Sequence, residues 1–313
     1  FEDAPVVYQR VPLDRARPDL LDEIARPPVS VRAVRPPTAR RLIDLAREAM
    51  VTRSRDLDNF AYADENDVRL IDCGGGLQFA CYGMAPDRRQ MLDAVYGFVV
   101  LRNGVPTGYV LSASLFGSTE IAYNIFDTYR GTEAARLFGV VVAMVRRLFG
   151  SDTFVLDPYQ MGHDNLEGLK SGAWWFYYKL GFRPKDAETK RLVREELKKT
   201  RANPRHRSSI AALQNLSASE MFLHLGPPRD DVIGIFSREN VGFHIMQYLA
   251  QRFGADRERG IRTCSREAAE LLGVRSLNGG IVHIALGFES RGTAHAASDG
   301  GEHNSAEDKR ASP

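Results

Sequence analysis

Cysteine is scarce. Cys73, Cys81 and Cys264 are the only three in 313 residues, too few and too scattered for a disulfide framework or a zinc knuckle. A reducing, cytoplasmic setting fits that usage. Charge of one sign is lacking too: the net charge is +2, which gives no global electrostatic case for nucleic acid. No run of about 18 apolar residues occurs, so no membrane span is expected, and no signal-peptide pattern is visible. The chain opens on Phe1 rather than Met, so a longer N-terminus is expected and targeting is not read from this end. Gly74-Gly75-Gly76 is followed by no Gly-Lys-Ser/Thr and reads as a turn or bulge between strands, not a phosphate loop. The histidines are dispersed, and His163 reads as a loop residue. No internal repeat is present.

What remains is an ordinary globular composition, 43% hydrophobic and 26% charged, with length for one or two domains. Residues 1–37 are rich in Pro and Arg and read as an extended segment. Pro37 and Thr38 open a helix whose Leu42, Ile43, Leu45, Ala46 and Met50 recur at helical spacing. Strands are expected at Val68–Cys73, Leu77–Met84, Val95–Arg102, Val105–Leu115 and Thr119–Phe126. Asn103-Gly104 is the hairpin signal, because both residues tolerate positive φ. A helix over Gly131–Phe149 keeps Leu137, Phe138, Val141 and Val145 on one face. A buried strand, Thr153–Asp157, follows, then a helix over Ser171–Leu180 capped by Ser171 and ended by Gly181. A long antiparallel meander followed by strand–helix–strand–helix is an α+β pattern. Beyond Pro184 the chain reads as a helical appendage, 186–288. It comprises Asp186–Lys199, a Ser217/Glu220 capping box before Met221–Leu225, a helix from Ser237 to Phe253, and another from Ser265 to Leu272. Residues 289–313 carry too little apolar area to order and are expected to be disordered.

The informative segment is Glu120 to Arg136. A strand runs almost directly into Arg130-Gly131, and a helix with small residues in its first turn follows. The first N–H groups of a helix have no internal partner and the helix dipole is positive there, so the place suits an anion. Arg130 and Arg136 add positive charge.

This segment resembles the Arg/Gln-x-x-Gly-x-Gly/Ala loop of the GNAT (GCN5-related N-acetyltransferase) superfamily, with Arg130 at the first position and Ala135 at the last. Phe176-Tyr177-Tyr178-Lys179-Leu180-Gly181-Phe182 resembles the Phe-Tyr-x-Lys-Leu-Gly-Phe ending of many members. The resemblance covers residues 60–185. It implies a mixed, mainly antiparallel twisted sheet with flanking helices over 38–185. It also implies an acyl-CoA cosubstrate held by Ile125, Arg130, Gly131, Thr132, Glu133, Ala134, Ala135 and Arg136, and transfer of the acyl group to an amine on a small molecule or peptide. Tyr177 would protonate the departing thiolate, and the backbone near Ile125 would polarise the thioester. Two positions depart from the pattern. Glu133 stands where the family usually has Gly, and its carboxylate either repels a pyrophosphate or turns away from it. Lys170 stands where the family has Asn.

Several residues have two readings. Tyr177 is either the acid or a core aromatic. Glu120 and Asp127 are either general bases for an ammonium acceptor or ordinary edge and cap residues. Asp157 binds substrate or caps a turn before Pro158. Lys and Arg outnumber Asp and Glu over 183–207, as on a nucleic-acid or acidic-partner face or, more commonly, a solvated helix. The alternative to an enzyme is a non-catalytic GNAT-like binding module.

Overall fold

The computed structural model describes residues 6–8, 10, 18–55, 58–90, 92–131, 133–236, 240–271 and 273. Expectations that fall on 289–313, on Thr132 and on Ser237 lie outside these residues. The chain divides into two units, residues 1–238 and 239–313.

The first unit is built on one nine-stranded sheet in the order β1-β2-β3-β4-β5-β6-β7-β9-β8. The strands are β1 (Ser30–Ala33), β2 (Ala63–Asp72), β3 (Leu77–Met84), β4 (Ala94–Arg102), β5 (Val105–Leu115), β6 (Ser118–Ile125), β7 (Thr153–Leu156), β8 (Arg183–Pro184) and β9 (Met221–His224). Every neighbouring pair is antiparallel except β6 and β7, which run parallel. Tight turns explain the meander. Gly74, Gly75 and Gly76 all have positive φ between β2 and β3, and Asn103 and Gly104 do so between β4 and β5, conformations that Gly and Asn adopt at least cost.

Side-chain alternation gives the sheet two apolar faces. On one face lie α2 (Pro36–Val51) and the single turn α3 (Asp58–Ala61), over Val68, Leu70, Ala80, Tyr82, Val99 and Leu101. On the other lie α1 (Leu20–Ile24), α4 (Ala134–Phe149) and α7 (Ala173–Lys179). They cover Ile71, Phe79, Phe98, Val110, Ile121 and Tyr123. Helix α4 ends on Gly150 with φ 66°, the left-handed stop expected of glycine. The turn α5 (Pro158–Met161) and helix α6 (Leu166–Ser171) precede α7.

Five expectations need correction. The N-terminal segment is not simply extended: residues 20–24 form α1, capped by Asp19, and residues 30–33 pair with β2 as an edge strand. Ser171 closes α6 rather than opening α7; Asn165 caps α6, and Gly172, with φ 68°, separates the two helices. Met221–His224 is a strand, not a helix. Alternating Met221, Phe222 and Leu223 supply apolar side chains to both faces, and the strand lies between β7 and β8. Residues 186–236 therefore belong to the sheet's own unit. That stretch contains β9 together with α8 (Ala187–Ala202) and α9 (Ile210–Leu216), which bury Val193, Leu213 and Leu216 in the main core. Ser265 lies inside a helix, not at its start.

The second unit, by itself, is a helical hairpin of α10 (Val241–Phe253) and α11 (Arg257–Leu271). Gly260 allows close approach, with an added Cβ 3.0 Å from Leu249 Cδ2. Arg252 pairs with Glu267 across the hairpin at 2.5 Å. Among the described residues, no helix is long and apolar enough to cross a membrane.

Candidate functional site

Strands β6 and β7 pair only over Ser118, Thr119 and Glu120, opposite Thr153, Phe154 and Val155. Beyond Glu120 they part. Strand β6 continues to Ile125, while β7 ends at Leu156 and Asp157 turns the chain into α5. Asp157 accepts from the Tyr159 N–H at 2.7 Å, so of its two readings the cap is the one the geometry displays. The parting leaves the β7-side peptide groups of β6 without a strand partner. Phe126 N–H donates to Thr107 on β5, so alternation turns Tyr123 and Ile125 toward the gap.

Two side chains fill that gap. Gln160, from α5, accepts from the Tyr123 N–H at 3.3 Å and donates Nε2 to the Tyr123 carbonyl at 2.8 Å. The donor on Tyr123 fixes which end of the carboxamide is oxygen. Arg130 donates Nε to the Ile125 carbonyl at 3.0 Å. Behind Gln160 stands Tyr177, whose hydroxyl accepts a second Nε2 hydrogen bond at 2.7 Å. Tyr177 is buried. Burial pushes its phenol well above the ordinary tyrosine range, against a smaller lowering by Gln160. Its ring meets Phe138 at 5.3 Å, and Phe138 also meets Tyr123 at 5.4 Å and Phe182 at 5.8 Å. Tyr177 is thus both a core aromatic and a hydroxyl at the gap.

The helix start behaves differently from a bare anion cradle. The first turn of α4 lies over β6, with the Tyr123 hydroxyl donating to the Ala134 carbonyl at 3.4 Å. Glu133, at the N-cap of α4, makes no side-chain cap hydrogen bond, and a Cβ added at Gly131 would meet nothing within 4 Å. The Ala134 N–H already donates to the Gly131 carbonyl at 3.4 Å, so among the described residues the start of α4 is only partly open to a ligand. The charges, however, are engaged. Arg130 pairs with Asp127 at 2.9 Å and with Glu167 of α6. Glu167 also accepts from Arg55 at 3.1 Å, and the hydrogen bond from Arg130 is the main cause that holds its carboxyl below the usual range. Glu133 turns toward Arg102 on β4 at 3.5 Å, and Arg136 toward Glu23 on α1 at 3.6 Å. Both line a cleft of about 340 Å³, together with Arg26, Pro28, Cys73, Gly75 and Leu77. Burial first, and Asp72 second, push the Cys73 thiol up to about 12, so it is no thiolate nucleophile at neutral pH.

The structure therefore brings Tyr177, Ile125, Arg130 and the start of α4 to one opening. It does not bring the carboxylates there alike. Glu120 pairs with Ala113 and Val155, and alternation puts its side chain on the face opposite Tyr123. Asp127 is exposed and bound to Arg130. Lys170 lies on α6, and Asn165 serves as its cap. Gln160 and Glu167 are residues that the sequence did not flag. The resemblance implied that Asp157-Pro158-Tyr159-Gln160 follows the strand at which the sheet splays, but it gave Gln160 and Glu167 no role; their contacts with β6 and Arg130 appear only in space. Compared with known proteins, the chain matches no family model, no curated protein and no solved structure.

Proposed function

We propose that this chain is a GNAT-like acyltransferase that moves an acyl group from an acyl-CoA to an amine. The single observation that carries the reading is the parting of parallel β6 and β7 next to the buried Tyr177 hydroxyl, with the α4 N-terminus at the far end of the same strand. An acyl-CoA has three chemically distinct parts, and this opening offers a match for each. The pyrophosphate suits the start of α4. The amide-bearing arm suits the β7-side peptide edge of β6, in place of the side-chain hydrogen bonds from Gln160 and Arg130. The thioester would lie near Tyr123 and Tyr177. The acceptor nitrogen attacks the thioester carbon, a C–N bond forms, the C–S bond breaks, and Tyr177 gives its proton to the leaving thiolate. An accepting hydroxyl keeps its own O–H to donate. The proton that the acceptor nitrogen loses passes to a base on the acceptor side; Glu120, on the opposite face of β6, and Asp127, paired with Arg130, are the two carboxylates to test for that role.

A competing reading, the non-catalytic module, draws on a different observation: Gln160 and Arg130 already occupy the peptide edge. Thiol release from acetyl-CoA and longer acyl-CoAs in the presence of a panel of primary amines separates the two. Amine-dependent turnover that falls by ~10²-fold or more in Tyr177→Phe is expected of the enzyme, the usual scale for losing a general acid. Ligand binding without turnover in wild type favours the module.

A further inference from the structure

A peptide edge inside a folded protein must have its N–H and C=O groups satisfied. On β6 the satisfying group is a side chain, and it is the one side-chain type, shared with Asn, that carries the donor and acceptor of a peptide bond. Gln160 makes with Tyr123 the same pair of hydrogen bonds, at 3.3 and 2.8 Å, that an incoming extended amide chain would make. It reaches there from a single helical turn, Pro158–Met161, which is followed by Gly162 at φ 129°. A rotamer change at Gln160 would break both of its hydrogen bonds to the Tyr123 peptide groups. The same change would remove the 2.7 Å hydrogen bond into the Tyr177 hydroxyl.

We infer that Gln160 is a built-in stand-in for the ligand: a latch that holds the β6 edge closed and is displaced when an amide-bearing chain pairs with Tyr123. The chemical class of that chain is a secondary amide in extended conformation. Its identity as the pantetheine arm of an acyl-CoA rests on the acyltransferase reading above, whereas the latch rests on the geometry of Gln160. Displacement couples two events. The edge becomes available to the arm, and the Tyr177 hydroxyl exchanges an internal donor for the reacting centre. Gln160 is thus a positioning residue, and its removal should strengthen binding, which a residue of purely structural importance would not do.

The test uses the full chain as wild type, Gln160→Ala and Gln160→Met. The methionine variant keeps length and packing without the carboxamide, so it serves if the alanine variant melts early. Calorimetric titration is done with D-pantetheine, which carries the amides, and with adenosine 3′,5′-bisphosphate, which lacks them. The latch predicts pantetheine binding about tenfold tighter in both variants, the scale of losing one to two competing hydrogen bonds, with bisphosphate affinity unchanged. Equal pantetheine affinity in all three proteins, or no pantetheine binding by any of them, overturns the latch. Amine-dependent turnover by wild type alongside equal pantetheine affinities would remove the latch and leave the acyltransferase standing. A pantetheine gain in the variants with no acetyl-CoA binding would keep the latch and remove the acyl-CoA reading.

Discussion

Glu196 on α8 accepts a hydrogen bond from the Ser208 hydroxyl at 2.5 Å, and Ser208 in turn accepts from Trp175 Nε1 on α7 at 2.9 Å. His206 Nε2 at 2.9 Å and Lys199 Nζ at 2.6 Å complete the ring around this nearly buried carboxylate. The cluster ties the α8–α9 connection to the helix that carries Tyr177. Burial pushes the Glu196 carboxyl up, but the hydrogen bonds from His206, Lys199 and Ser208 together outweigh it and hold it at about 2.

Glu196→Gln is expected to cost ~1–3 kcal/mol of unfolding free energy at pH 6, the range for leaving buried partners poorly satisfied. The sign of the pH dependence follows from a depressed folded pKa. The contribution is full above the unfolded value, ~4.3, and is lost as pH falls through that value toward 2. Urea unfolding at pH 6 and pH 3 checks this. The difference between wild type and Glu196→Gln should shrink at pH 3; a constant difference would mean that the charge is not what the network holds.

The place of β9 makes a truncation prediction. A chain ending at residue 185 lacks the strand between β7 and β8 and exposes Phe154, Leu156 and Phe182, which are fully buried in the fold. It should be insoluble or uncooperative on heating. A chain ending at residue 238 keeps the whole sheet and should melt cooperatively. A cooperative 1–185 fragment would contradict the role given to Met221–His224.

Helix α1 sits on α4 at Gly139, where an added Cβ would lie 2.7 Å from Glu23 Cβ and 3.2 Å from Leu20 Cδ1. Gly139→Leu overpacks that contact and should cost ~1–3 kcal/mol, with faster amide exchange across residues 20–24. An unchanged melting curve with unchanged exchange would show that α1 is not held there.

The α+β class and the meander were legible because their signals are local. Leu77–Met84 and Val105–Leu115 alternate or run apolar between glycine turns, and Asn103-Gly104 allows one connection. Strand β9 was not legible, because Ser217 and Glu220 imitate a capping box and four residues cannot show a period; only pairing with Thr153–Leu156 makes them a strand. Of the opening between β6 and β7, Tyr177 and the Arg130 turn could be read along the chain. Gln160 could not. A glutamine in a one-turn helix has no signature, and its meaning comes from the two strand ends that part beside it.

Glu133 turns to Arg102 rather than toward β6. Glu133→Gly should therefore leave acetyl-CoA affinity similar or tighter. Arg102→Ala, which leaves Glu133 without that partner near the helix start, should weaken it severalfold by like-charge repulsion of a pyrophosphate. Calorimetric titration of the two variants decides; the opposite order of affinities would mean that Glu133 contacts the ligand.

The most direct measurement is hydrogen–deuterium exchange of the full chain with and without saturating acetyl-CoA, read by mass spectrometry at peptide resolution. The account predicts slower exchange in two segments, the β6 edge through Ile125 and the first turns of α4 from Ala134, together with a changed rate around Gln160. No protection at millimolar acetyl-CoA would contradict it. So would protection confined to the other walls of the neighbouring cleft, around residues 26–28, residues 73–77 and Arg102, with β6 unprotected.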